Sequence, residues 1–136
     1  MGPTRRASDL ESGTALPDLD LPITPTLVVG GALASRDYTP VHHDRQAAIE
    51  QGLPDVFLNI LTTQGLCCRY VTDWAGPDAI VTRVRTKLGG PAMPGDTLKL
   101  RGRVVAVEAR DVDVEVAGQN AWGNHVTAVF TVRLPE

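Results

Sequence analysis

The sequence has no long hydrophobic run: nowhere do apolar residues continue for the roughly 18–20 positions that a membrane-crossing helix needs, so no bilayer span is expected. Cysteine is scarce as well. Cys67 and Cys68 are the whole complement and sit side by side. Neighbouring cysteines rarely bridge, and two make no disulfide framework, so both are read as reduced core residues of a cytoplasmic protein. Basic charge never gathers: 13 Lys and Arg stand against 16 Asp and Glu, scattered to a net charge of −3. That distribution lacks the basic stripe that a nucleic-acid backbone requires. Arg5 and Arg6 are followed by no apolar stretch, so the N-terminus does not read as a secretory signal. Internal repeats and low-complexity tracts are missing too.

What is present suffices for a core. Hydrophobic residues make up 43% of 136 positions, a length that suits one domain. Residues 1–15 read as a mobile leader and 16–136 as the folded part. Pro17, Pro22 and Pro25 make an extended lead-in of residues 16–26, and the apolar, glycine-containing residues 27–33 are the expected first strand. Asp44 can cap a short helix over 45–51, ended by Gly52 and Pro54. Residues 56–72 are apolar on most sides, as for a helix enclosed by other elements. Asn59 is one possible N-cap, with Ile60 as first helical residue; Asp55 is the competing start. Gly76-Pro77 gives the stop.

Beyond it the period becomes two. Ile80, Val84 and Leu88 form one face of a strand; Leu98, Leu100, Val104 and Ala106 a second; Val112, Val114 and Val116 a third; Val126, Ala128, Phe130, Val132 and Leu134 a fourth. Such alternation, broken by Gly, Pro, Asn and Asp turns, argues for an antiparallel sheet with one wet face. Strand, long helix, four strands is the order of an α+β hot-dog fold: a five-stranded antiparallel sheet wrapped around a long central helix. One helix cannot cover that sheet end to end, so pairing with a second such domain is expected.

Ionisable groups concentrate in residues 35–44, a loop ahead of the long helix. Asp37 and His42 are separated by a tight Thr39-Pro40 stretch that could bring the two side chains to one point. A carboxylate and an imidazole so placed can hold a water between them, one taking its proton while the other supplies one to a substrate. By spacing alone a solvated turn is the commoner reading of such a pair. His42, His43 and Asp44 also invite a metal reading, but adjacent side chains point apart and no further ligand cluster exists, so no metal is expected. His125, beside Gly123-Asn124, reads as a turn or surface residue.

Asp37-Tyr38-Thr39-Pro40-Val41-His42 resembles the Asp-x-Asn-Pro-(Ile/Val)-His signature of MaoC-like (R)-specific enoyl-CoA hydratases, and Pro94-Gly95-Asp96-Thr97-Leu98 resembles that family's Pro-Gly-Asp-Thr-Leu element. Residues 34–37, 41–45, 59–62 and 69–77 are similar to the small subunit of bacterial steroid side-chain enoyl-CoA hydratases. Thr39 stands where the usual signature has Asn, and Asn59-Ile60 where ordinary hydratases have His-Gly, as in the steroid-type subunits. The resemblance implies hydration of a 2-enoyl-CoA thioester, here a 17(20)-unsaturated C22 steroid-CoA, with no cofactor because CoA is part of the substrate. Asp37 and His42 would be the acid/base pair, in unassigned order, and Thr39 and Asn59 would line the site. The Ile60 N–H would face the thioester oxygen, although Asn59-Ile60 is equally an ordinary helix cap. The implied partner is a second MaoC-like subunit with a zinc-ribbon and OB-fold domain, assembled as a heterotetramer that can dock a thiolase-like aldolase.

Three other readings stand beside this one. The first is a general (R)-specific hydratase homodimer, the second a non-catalytic acyl-CoA-binding subunit. The third is a hot-dog thioesterase, which usually carries its carboxylate on the central helix; residues 56–71 contain no Asp or Glu.

Overall fold

The period-two pattern of the C-terminal half becomes four long strands in the computed structural model, which describes residues 2–136. Ile80–Leu88 (β2), Thr97–Glu108 (β3), Asp111–Asn120 (β4) and Gly123–Arg133 (β5) are joined at one edge by the short Leu19–Pro22 (β1). The sheet order is β1-β3-β4-β5-β2 and every neighbouring pair is antiparallel. β4 shows the cause most simply. Val112, Val114 and Val116 are fully buried on its inner side, while Asp111, Asp113 and Glu115 face Arg133, Thr131 and Arg103 on the outer side.

Against the inner face lies one long helix, Ile60–Ala75 (α3). Asn59 starts it: its side-chain oxygen accepts the Thr62 N–H at 3.1 Å, satisfying one of the donors that every helix start leaves open. Thr63, Cys67, Tyr70, Val71 and Trp74 recur at helical spacing and are the buried side. The four apolar members of that stripe join Leu98, Leu100, Val126 and Phe130 of the sheet in one core. Removing each such side chain from water is worth about 1.5–3 kcal/mol, and this stripe holds the helix in place. Gly76, at φ +103°, ends it in a conformation that a Cβ would strain. The fold is thus the α+β hot-dog arrangement, with the helix wrapped by the concave sheet.

Several elements differ from the sequence reading. Residues 27–33 are helix, not strand: Pro25–Ala34 forms α1, and the first strand is β1, inside the expected lead-in. A short apolar run does not discriminate helix from strand. What decides is Thr24, whose hydroxyl accepts the Leu27 N–H, followed by Pro25 at the first helical position. Pro22 is tolerated in β1 because this is an edge strand. The short helix α2, Arg45–Glu50, is capped by Asp44 as expected.

Two bulges shift faces. Register slips between Val81 and Arg83 and between Val104 and Ala106, so Ile80 and Ala106, expected inside, are exposed. An extra residue in one strand turns everything beyond it to the other face. α3 is also less enclosed than expected, since Leu61, Gly65 and Arg69 on its outer side are exposed.

The segment read as a mobile leader is tied down over its described part; Met1 lies outside the described residues. Residues 13–16 run along β3 through backbone bonds to Val104 and Gly102, and Ala7 is buried. Arg5 reaches the far end of α3, where its backbone and side chain donate to the carbonyls of Ala75 and Trp74, both at 2.9 Å.

Candidate active site

Asp37 and His42 meet. The chain leaves α1 through Ser35 and Arg36, the latter at φ +57°, which turns it sharply; the Asp37 N–H then closes back on the Ala32 carbonyl at 2.9 Å. Pro40 starts a single 3-10 turn, Pro40–His42, that carries the imidazole inward. The result is Asp37 Oδ2 at 3.4 Å from His42 Nε2.

Each group is held by named partners. His42 is 7% exposed, its ring edge-on to Phe57 at 4.8 Å between centroids. Its Nδ1 lies 2.7 Å from the Phe57 carbonyl oxygen, which only accepts, so Nδ1 carries the hydrogen. In the neutral ring Nε2 is then the bare nitrogen, and it is the one turned to Asp37. The carboxylate of Asp37 accepts from the Thr39 hydroxyl at 2.7 Å and the Thr39 N–H at 3.2 Å on Oδ1, and from the Asn59 side-chain amide at 3.1 Å on Oδ2. These donors, Thr39 first and Asn59 next, hold its pKa below the ordinary carboxylate value against the opposing effect of burial. The Asp37 carboxylate and, in the neutral ring tautomer, His42 Nε2 thus face each other as hydrogen-bond acceptors.

Thr39 and Asn59, expected to line the site, are placed against Asp37. Asn59 is almost wholly buried and serves twice: its oxygen caps α3, and its nitrogen donates to Asp37 and to the Ser35 hydroxyl. One side chain thus couples the Asp37 carboxylate to the start of the central helix. Ile60 is the first helical residue, and its N–H has no acceptor among the described residues. With the helix dipole behind it, that group is suited to a developing oxyanion. Leu33, Tyr38, Ile60 and Leu61 are exposed apolar side chains on the segments that carry these groups.

Other candidates fall away from the pair. His43 is exposed and turns its Nε2 to the Tyr38 carbonyl at 3.2 Å. Among the described residues no three His, Cys, Asp or Glu side chains are gathered as for a metal ion, and among them no helix is long and apolar enough to cross a membrane. Cys67 is buried, and burial pushes its thiol up to about 12, which suits a core residue. Sequence reading missed the Phe57 carbonyl, since a main-chain acceptor leaves no side-chain signature. It also misplaced His125, which is buried rather than on the surface.

Comparison with known proteins identifies the family. The MaoC-like domain family matches residues 11–124. The 3-oxo-4,17-pregnadiene-20-carboxyl-CoA hydratase beta subunit of Mycobacterium tuberculosis is 49% identical over 122 residues, which cover 90% of this chain and 95% of that one. A chain of the crystallised ChsH1-ChsH2 complex from the same organism superposes with a TM-score of 0.90 at 46% identity, covering 92% of this chain and 98% of the other. The R-hydratase PhaJ1 of Pseudomonas aeruginosa shares the fold at a TM-score of 0.84 and 22% identity, covering 96% of this chain and 86% of its own. A family match over residues 11–124, with a relative 49% identical across 90% of this chain and a superposition at a TM-score of 0.90, makes this chain a member of the MaoC-like domain family.

Proposed function

We propose that the chain is the catalytic subunit of an enoyl-CoA hydratase that adds water across the α,β double bond of a bulky 2-enoyl-CoA. The observation that carries this reading is the Asp37–His42 pair, 3.4 Å apart, beside the open N-terminus of α3. A water between two acceptors donates to both. His42 Nε2 takes one proton as the hydroxide attacks the β-carbon, and Asp37 stabilises the imidazolium. Electrons pass to the thioester oxygen, which the Ile60 N–H stabilises. The enolate collapses, and its α-carbon takes the proton back from His42 on the face that received the hydroxide. Asp37 stays ionised at neutral pH and stores no proton, which supports His42 as the carrier. No cofactor enters this cycle, since CoA arrives and leaves with the substrate.

The acyl group is assigned as a steroid side chain, the 17(20)-unsaturated C22 thioester, on the similarity to the pregnadiene-carboxyl-CoA hydratase subunit over 90% of this chain. The exposed Leu33, Tyr38, Ile60 and Leu61 are consistent with a large apolar group near the pair. The partner is a second MaoC-like subunit carrying a zinc-ribbon and OB-fold domain, in a cytoplasmic heterotetramer that can engage a thiolase-like aldolase. β2 supports a partner: among the described residues it pairs only with β5, leaving an open edge flanked by exposed Ile80 and Leu88.

Loss of absorbance of the conjugated thioester tests the reading, with the chain alone and with co-expressed candidate partners. Asp37→Asn and His42→Ala are each expected to lower kcat by about 10²–10⁴-fold while leaving assembly intact. Turnover retained in either variant overturns the assignment. Preference for a short linear enoyl-CoA over the steroid thioester overturns the substrate.

A further inference from the structure

His125 is a buried polar residue that the chemistry above does not use. Alternation along β5 puts Val126 inside and would put His125 outside. A register slip intervenes: Gly118 pairs with Val126 but Gln119 with Asn124, leaving His125 as the extra residue of a bulge. The bulge turns the imidazole inward, to 2% exposure beside buried Val126. Bulging breaks a ladder and burying an imidazole strips its water, so the position costs stability that its contacts must offset.

Those contacts are two. Nδ1 lies 2.7 Å from the Gly90 carbonyl and Nε2 2.8 Å from the Thr63 hydroxyl. The carbonyl only accepts, so Nδ1 bears the hydrogen and Nε2 accepts from Thr63. Burial acts in the same direction, lowering the pKa of the ring and keeping it neutral. Thr63 belongs to the first turn of α3, three residues after Ile60, and its own N–H bonds the Asn59 carbonyl at 3.1 Å. Gly90 belongs to the connection after β2, and two residues on, the Ala92 carbonyl accepts the Leu58 N–H at 2.9 Å. Leu58 in turn follows Phe57, whose carbonyl fixes the tautomer of His42. The connection therefore grips the helix entry twice, directly at Leu58 and through His125 at Thr63.

We propose that His125 is a positioning residue for the hydration reaction, setting through Thr63 where the first turn of α3 presents its Ile60 N–H to the thioester oxygen. The proposal rests on the hydratase reading and concerns the geometry of the oxyanion donor. A displacement of that donor weakens a contact that matters most in the transition state, so it lowers kcat more than it changes KM.

The test is a double-mutant cycle on the assembled enzyme with the steroid 2-enoyl-CoA thioester. Thr63→Val removes the hydroxyl at constant shape. His125→Asn keeps a donor near Gly90 and loses the acceptor for Thr63. Each is expected to lower kcat about tenfold with KM within about twofold, and the double variant to lose no more than the worse single one, because both delete one interaction. Thr63→Ser, which keeps the hydroxyl, is expected to restore kcat. Unchanged kcat with a lowered Tm, or losses that multiply, overturns the proposal. Should His125→Asn fail to fold, the Val and Ser variants at Thr63 decide alone. Absence of hydration in the unmodified enzyme would instead overturn the hydratase reading itself.

Discussion

The two ends of α3 are finished differently. At its C-terminus the last carbonyls are occupied: Arg5 donates to Trp74 and Ala75 and lies over the Trp74 ring at 5.0 Å, while Thr4 exchanges hydrogen bonds with Asp78. At the N-terminus Asn59 satisfies the Thr62 N–H, but Ile60 and Leu61 keep N–H groups without acceptors among the described residues and expose their side chains. A helix end left open beside the proposed acid/base pair offers donors to a substrate; a closed end only holds the fold together. Changes at the open end should therefore alter rate, and changes at the closed end stability.

The largest test of that contrast after the Asp37 and His42 variants is Ile60→Pro. Proline is compatible with the first helical position, and Asn59 already has the extended backbone that a following proline demands, at φ −78° and ψ 161°. The substitution removes one N–H and leaves the helix. If that N–H faces the oxyanion, kcat should fall about 10²–10³-fold with the helical circular dichroism unchanged. Ile60→Ala, which keeps the N–H, should lose far less. Equal losses in the two variants would move the oxyanion donor elsewhere.

Next comes Asn59→Asp. Its carboxylate can still accept from the Thr62 N–H and so keep the cap, but it offers Asp37 no donor and adds a like charge. The pKa of Asp37, now held low by Thr39 and Asn59, should rise. The acid limb of the kcat/KM profile should move toward neutral pH, and activity should return as pH rises and Asp37 ionises. The same sign governs stability. A carboxyl depressed on folding contributes above its unfolded pKa and loses that contribution as pH falls through the folded value, so the variant should lose less on acidification. An acid limb that stays in place would mean Asn59 acts only as a cap.

The sequence showed the open end better than the closed one. Asp37 and His42 stood out through their motif and the order of elements around it, since the turn between them reads by itself as solvated, and the Asn59 cap was one of two possible starts before an apolar run. The sheet was legible through its period of two, up to the bulges. His125 was not, because alternation assigns a face only while the register holds. α1 was misread because a seven-residue run of five apolar side chains and two glycines favours neither period, and its signal lay outside the run, in Thr24-Pro25. The docking of residues 4 and 5 on the far end of α3 joins positions about 70 apart in the chain. No local pattern encodes such a contact, and a basic, proline-flanked N-terminus reads as loose.

The smallest effect is expected at that closed end. Arg5→Ala removes a hydrogen bond to the Trp74 carbonyl and a cation over its ring, leaving the Arg5 backbone bond to Ala75 in place. A cation at a helix C-terminus is worth about 0.3–1 kcal/mol and an exposed cation–π contact about 0.5–1 kcal/mol. Together these should lower Tm by a few degrees for a domain of this size. Hydration by the assembled enzyme should be unchanged at temperatures where it stays folded, because none of these groups lies near Asp37 or Ile60. High salt should shrink the Tm difference, since the lost interactions are electrostatic and partly exposed. A fall in kcat without a fall in Tm would show that the two ends of α3 are coupled, and the division between a chemical end and a structural end would no longer hold.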